Sequence, residues 1–305
     1  MKVAGCQINP EYLELHKNID MVISKINDCK SQGANLIVFP ELALTGYFVG
    51  ERYHEVSLKI ESDEINRIVQ ASKGTAVVVG FIEESKSMNF YNSALVAVDG
   101  QLLYAYRKLN LPNYGAFEER KIFSSGKKVH VFRLNGFNVA VLICNDLWHP
   151  SIPYLGAVQK ADIFVTLFNS SEGSMGDEFS NIESWSIINR FYSRIFGVYN
   201  IAVNRVGKES FIQKQVNNCG IYPNGKNSPL VEKTFNFWGG SVIINPFGNE
   251  ITKAKMHEED QIFADIDIAL LRKKKILLPY LRNDDPYFTQ RELNRILFNK
   301  NQIVK

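Results

Sequence analysis

The feature that most restricts the fold is a change of hydrophobic period near the start of the chain. Residues 3–8 read as a short strand, and Leu15, Ile19, Val22, Ile23 and Ile26 then recur at helical spacing until Gly33 stops the run. A second strand, residues 35–39, follows at once. Strand, helix and strand with connections this short form a βαβ unit, whose strands lie parallel in one sheet with a right-handed crossover. A fold of helices alone is excluded.

Further on, residues 75–83, 91–98 and 101–108 are rich in β-formers, and Asp99-Gly100 between the last two is a strong hairpin signal, so antiparallel strands extend the sheet. The second half repeats the alternation. A strand at 137–144, a helix after Pro150, a strand at 162–168, a helix with Ile182, Trp185, Ile188, Tyr192 and Ile195 on one face, and a strand at 198–204 follow in order. Later strands are expected at 240–244 and 261–266, whereas residues 220–239 are polar and turn-rich and read as a long surface loop. Two similar halves without a Pro/Gly/Ser linker predict one α/β domain over residues 1–275, built of two packed mixed sheets with helices outside. Residues 276–305, with Leu293, Ile296 and Leu297 after the turn Asp284-Asp285-Pro286, are expected to form a C-terminal tail that docks on the body or on a partner subunit.

Composition narrows the function. The chain of 305 residues is 45% hydrophobic and 22% charged with a formal charge of +3, ordinary globular proportions. No stretch approaches the roughly 20 apolar residues of a membrane span, and the first residues are too short an apolar run for a secretory leader, so a cytoplasmic protein is expected. Cys6, Cys29, Cys144 and Cys219 are widely separated, which suggests neither a disulfide framework nor a thiolate zinc site. His16, His54, His130, His149 and His257 form no ligand pair, so neither a metal nor another cofactor is expected. The one basic run, Arg272-Lys273-Lys274-Lys275, reads as a solvated helix face, and neither nucleic acid nor a membrane is an expected partner.

Three residues stand where α/β proteins build sites, at the ends of strands leaving one side of a sheet. Cys144 ends the apolar run Val139-Ala140-Val141-Leu142-Ile143 at a polar turn, where backbone N–H groups can lower a thiol's pKa and bind an oxyanion; the alternative is a buried structural cysteine. Glu41 is a lone carboxylate in apolar company, suited to a general base if buried and otherwise a capping or ion-paired residue. Lys108 ends a hairpin strand, and could hold an oxyanion or simply be solvated. A Cys-His dyad would have to use His149.

Together with their surroundings these residues resemble the nitrilase superfamily of carbon-nitrogen hydrolases. The resemblance rests on Val38-Phe39-Pro40-Glu41-Leu42 with Leu44-Thr45-Gly46-Tyr47, on Arg107-Lys108-Leu109-Asn110-Leu111-Pro112, and on Ile143-Cys144-Asn145-Asp146-Leu147-Trp148. Further echoes are Ala202-Val203-Asn204-Arg205 and Gly239-Gly240-Ser241. The stretch from Leu111 to Glu119 is most similar to the glutaminase domains attached to NAD synthetases, although the P-loop-like motif that adenylation would use is missing. The resemblance implies a four-layer α-β-β-α sandwich that pairs into homodimers or larger homo-oligomers. It also implies a Glu41-Lys108-Cys144 triad with a second glutamate, Glu119 or its neighbour Glu118, and hydrolysis of a small amide, an ω-amide or N-carbamoyl compound, through a thioester. Asn145 would supply an oxyanion N–H, while Tyr47, Tyr114, Trp148, Tyr192, Asn169 and Ser170 are candidates for the pocket. The chain departs from the pattern at Arg190-Phe191-Tyr192-Ser193-Arg194-Ile195, where Ile195 replaces an acid. The alternatives are a nitrilase that converts a nitrile to an acid and a non-catalytic binding protein of the same fold.

Overall fold

In the computed structural model, residues 1–175, 179–214 and 230–298 are described. The βαβ start is β1 (Lys2–Gln7), α1 (Leu15–Ser31) and β2 (Leu36–Val38). Ile19, Val22, Ile26 and Cys29 of α1 are buried at the spacing that gave the helix away. Next come α2 (Asp63–Ala71), whose N-terminus is capped by the Ser62 side chain, then β3 (Ala76–Glu84), β4 (Phe90–Val98) and β5 (Gln101–Arg107). A one-turn helix α3 (Glu119–Ile122) leads to β6 (Val131–Leu134) and β7 (Phe137–Ile143). The second half holds α4 (Ser151–Val158), β8 (Ile163–Leu167), α5 (Asn181–Phe196), β9 (Tyr199–Val203), β10 (Val206–Lys214), β11 (Leu230–Trp238), β12 (Val242–Ile244), β13 (Glu250–Lys253) and β14 (Asp260–Asp265). Helices α6 (Ile268–Leu277) and α7 (Pro286–Phe298) follow. Gly197, in the left-handed region at φ 67°, ends α5.

The strands form two six-stranded sheets, ordered β14-β1-β2-β3-β4-β5 and β13-β12-β9-β8-β7-β6. In each, three parallel strands (β1-β2-β3 and β7-β8-β9) are flanked by antiparallel ones, so the two halves are alike. Val38, Val78 and Val96 of the first sheet meet Val141, Val165 and Ile201 of the second in the central core. On the outer faces, Ile19, Val22 and Ile65 of α1 and α2 cover the first sheet, and Ala157, Trp185 and Tyr192 of α4 and α5 cover the second. The expected α-β-β-α sandwich is thus the observed architecture. Cys6 and Cys29 are buried free thiols, sulfurs 3.5 Å apart under α1; Cys219 lies outside the described residues.

One expectation is corrected. Within 220–239, Leu230–Trp238 is the strand β11, paired antiparallel with β10 over its whole length. The segment looked like loop because only one face of this hairpin is covered: Phe235 and Phe237 are buried among Tyr47, Phe48 and Leu111, while Thr234 and Asn236 point away from that cluster. The rest of the expected loop, up to residue 229, lies outside the described residues.

Candidate active site

The site is assembled at the carboxyl ends of β2, β5, β7 and β8. After β2 the chain turns through Leu42 at φ 46° and carries Glu41 across β3 at Gly80, whose N–H donates to the Pro40 carbonyl at 3.2 Å. A β-carbon on Gly80 would lie 2.4 Å from the Leu42 nitrogen and 2.5 Å from the Pro40 oxygen, so only glycine lets this turn lie so close. Lys108 follows β5, its N–H donating to the Asn92 carbonyl at 2.9 Å. Its ammonium donates to Glu41 Oε1 and to Glu119 Oε1, both at 2.7 Å, and all three side chains are buried. Asn92 Nδ2 donates to Glu41 Oε1 at 2.7 Å and to Glu119 Oε2 at 3.4 Å, and Tyr47 OH donates to Glu119 Oε1 at 2.5 Å. Glu41 Oε2 has no hydrogen-bond partner among the described residues.

Cys144 leaves β7 in the left-handed region, φ 46°, at the head of a tight turn, Cys144–Trp148. A non-glycine residue there is strained, and such strain is kept where surrounding contacts enforce it. Asp146 enforces it. Its buried carboxylate accepts from Ile143 N–H at 3.2 Å, Tyr106 OH at 2.8 Å, and Leu109 and Asn110 N–H at 3.1 and 2.9 Å. The sulfur-bearing turn of the second sheet is thereby strapped to the segment that follows Lys108 in the first.

Charge and burial set the protonation states. Burial pushes Glu119 up to about 7, against the pull of Lys108, with Glu41 adding to the rise. Burial alone would lower Lys108, but the Glu119 and Glu41 carboxylates outweigh it and hold its pKa well above the ordinary value. The Cys144 thiol is raised well above its usual value by burial and by Glu41, with Lys108 opposing. The backbone N–H of Asn169 pulls the thiol down, as such a turn can, but desolvation and the nearby carboxylates outweigh it and Lys108, which favours the neutral thiol.

Above the sulfur opens a cavity of about 250 Å³, lined by Cys144, Asn145, Trp148, Tyr114, Asn169 and Ser170 among others. Tyr114 OH donates to Asn145 Oδ1 at 2.7 Å. Three pocket or site candidates are not brought in: Tyr47 does not line the cavity and spends its OH on Glu119; Glu118 is exposed and pairs with Lys121 at 2.5 Å, because its neighbour Glu119 takes the inward position at the start of α3; Tyr192 packs into the core under α5. His149 is exposed, with Nε2 3.5 Å from Asn145 Nδ2. Sequence reasoning overlooked Asn92 and Asp146, and also Glu209 of β10, which ion-pairs with the buried Arg205 and accepts from the N–H groups of Tyr47 and Phe48. An acid inside a strand of a polar-looking hairpin gave no signal for this.

The sequence profile of the carbon-nitrogen hydrolase family matches residues 2–276. A glutamine-dependent NAD(+) synthetase of Acinetobacter baylyi is 29% identical over 276 residues, covering 90% of this chain and 46% of that protein. The chain spans about half the length of that synthetase. A nitrilase of Pyrococcus abyssi is 28% identical over 282 residues, 90% of this chain and 93% of that one. Among solved structures, a carbon-nitrogen hydrolase from Helicobacter pylori G27 superposes with a TM-score of 0.77 at 21% identity, covering 97% of this chain and 99% of that one, a likeness of fold.

Proposed function

The chain belongs to the carbon-nitrogen hydrolase family, and from that membership we propose that it hydrolyses the C–N bond of a small amide, with Cys144 as nucleophile, Glu41 as general base and Lys108 as oxyanion partner. The observation that carries this reading is the Lys108 ammonium held at 2.7 Å from both Glu41 and Glu119 beside a strained cysteine at a cavity wall. Because the thiol rests protonated, attack and proton removal go together. Glu41 Oε2, which has no hydrogen-bond partner among the described residues, takes the thiol proton as sulfur bonds to the amide carbon. The carbonyl oxygen becomes negative and is stabilised by Lys108 and the Asn145 N–H. The C–N bond then breaks, the proton on Glu41 passes to the departing nitrogen, and ammonia leaves an acyl thioester. Glu41 next takes a proton from water, whose oxygen attacks the thioester carbon; the C–S bond breaks, the proton returns to sulfur and the acid is released. Glu119 holds Lys108 in place between the carboxylates.

Cys144→Ala is expected to abolish ammonia release from small amides with an unchanged circular dichroism spectrum. Undiminished turnover in that variant refutes the assignment.

A further inference from the structure

Along β4, Val96 and Ala94 face the central core, and the alternation of a strand puts Asn92 next on that face. An apolar side chain would continue the row. Instead a carboxamide, 1% exposed, lies among the charged groups of the site. Both ends of this residue touch the proposed triad. Its backbone carbonyl accepts from Lys108 N–H at 2.9 Å, and its Nδ2 donates to Glu41 Oε1 at 2.7 Å and to Glu119 Oε2 at 3.4 Å. Since Lys108 Nζ also donates to both carboxylates, the four side chains close a ring in which each carboxylate accepts once from the ammonium and once from the amide.

The ring treats the two oxygens of Glu41 unequally. Oε1 takes both donors, and Oε2 has none among the described residues. The last torsion of a glutamate is soft, so an ammonium alone can settle on either oxygen. A second donor carried by a buried strand holds the carboxylate with Oε1 turned to Lys108. Resting on the hydrolase reading above, we propose that Asn92 is a positioning residue that reserves Glu41 Oε2 for the Cys144 proton, by keeping Lys108 on Oε1. Without it the ammonium can slide onto Oε2, and the base is consumed in an ion pair. In the attack the S–H proton passes to Oε2 as the S–C bond forms; Asn92 gains and loses nothing. A second cation in its place would bind the carboxylate too tightly for it to accept a proton, whereas a carboxamide orients it without that charge.

The test reads the sulfur directly. Alkylation of Cys144 by iodoacetamide, followed by mass, depends on proton removal from the thiol and needs no turnover. Asn92→Leu, close in size, should label about 10- to 100-fold more slowly than the native protein; a rate equal to or above the native one overturns the proposal. Asn92→Asp separates orientation from packing. Buried against Glu41, Glu119 and the Lys108 ammonium, the introduced carboxyl keeps its proton well above the ordinary carboxylate range, and only its protonated form donates to Oε1. Its labelling rate should approach the native rate at about pH 6 and fall to that of Asn92→Leu at about pH 8.5. Parallel pH profiles for the two variants assign Asn92 to packing alone and overturn the proposal. Ammonia release from acetamide, propionamide and L-glutamine is followed alongside. A native protein that cleaves none of them, yet whose labelling slows in Asn92→Leu, counts against the hydrolase reading and upholds the role of Asn92. Where an amide is cleaved, kcat should fall with the labelling rate while KM stays within about twofold; a rise in KM alone overturns the proposal.

Discussion

Lys108 sits between two carboxylates with no water-exposed side, and this sets what its removal does. Lys108→Ala takes away the proposed oxyanion donor, a change that typically costs about 10²–10³ in turnover, and leaves Glu41 and Glu119 facing each other in a buried space. Ammonia-release kinetics of the purified variant check it; near-normal kcat would place the oxyanion site elsewhere. Glu119 makes a separate prediction about pH. Its folded pKa is raised from an ordinary 4.5 to about 7, so between those values the folded protein holds a proton that the unfolded chain has released. That contribution to stability is full below about pH 4.5 and is lost as pH rises through about 7. In Glu119→Gln the side chain is neutral at every pH. Thermal unfolding followed from pH 5 to 8 should therefore decline more steeply for the native protein than for the variant, and parallel curves would mean that Glu119 is ionised throughout.

At the scale of elements, the turn that follows β2 depends on β3. Gly80→Ala would press a methyl group onto the Leu42 nitrogen, and the turn can yield only by moving Glu41. A displacement of about 1 Å in a reacting group can cost roughly 10²-fold in rate, so kcat should fall by about that factor while the far-ultraviolet dichroism is kept. A fully active Gly80→Ala protein would show that the turn relaxes elsewhere. The same scale separates what was legible from what was not. The strands β2 and β7 that lead into Glu41 and Cys144 announced themselves through apolar runs, since burial on both faces of a central strand leaves an unbroken hydrophobic signature, and the edge strand β5 before Lys108 did so through the Asp99-Gly100 turn that pairs it with β4. The hairpin of β10 and β11 did not, because one open face dilutes its pattern with Lys, Glu, Thr and Asn. Asn92 and Asp146 were hidden for another reason. Their partners lie 51 residues away at Glu41 and 36 and 37 residues away at Asn110 and Leu109, and no local period encodes a bond across that distance.

At the scale of the whole molecule, large apolar side chains remain uncovered on the outside: Leu155 of α4, Ile187 and Phe191 of α5, and Phe288, Ile296 and Phe298 of α7. Helix α7 has no buried residue, and the segment before it is tied to the body through Tyr154 OH donating to Asp284 at 2.7 Å. Exposed apolar surface of this kind marks association sites, and we propose that it serves the homodimer or larger homo-oligomer that the family resemblance implies. Light scattering after size exclusion at micromolar concentration should give at least twice the 34.7 kDa of one chain; a strictly monomeric mass counts against it.

The acid and the ammonium ride on one sheet and the sulfur on the other, joined across the interior by the Asp146 strap. On the proposed mechanism, catalytic competence is a property of the docked pair, which neither half possesses alone. Any loosened state that keeps its strands but lets the sheets slide, such as a mildly acidic expanded form, would look folded by its backbone signal and yet be silent in an assay. Enzyme activity would then be the earliest gauge of interior slippage, fading before the ordered strands do.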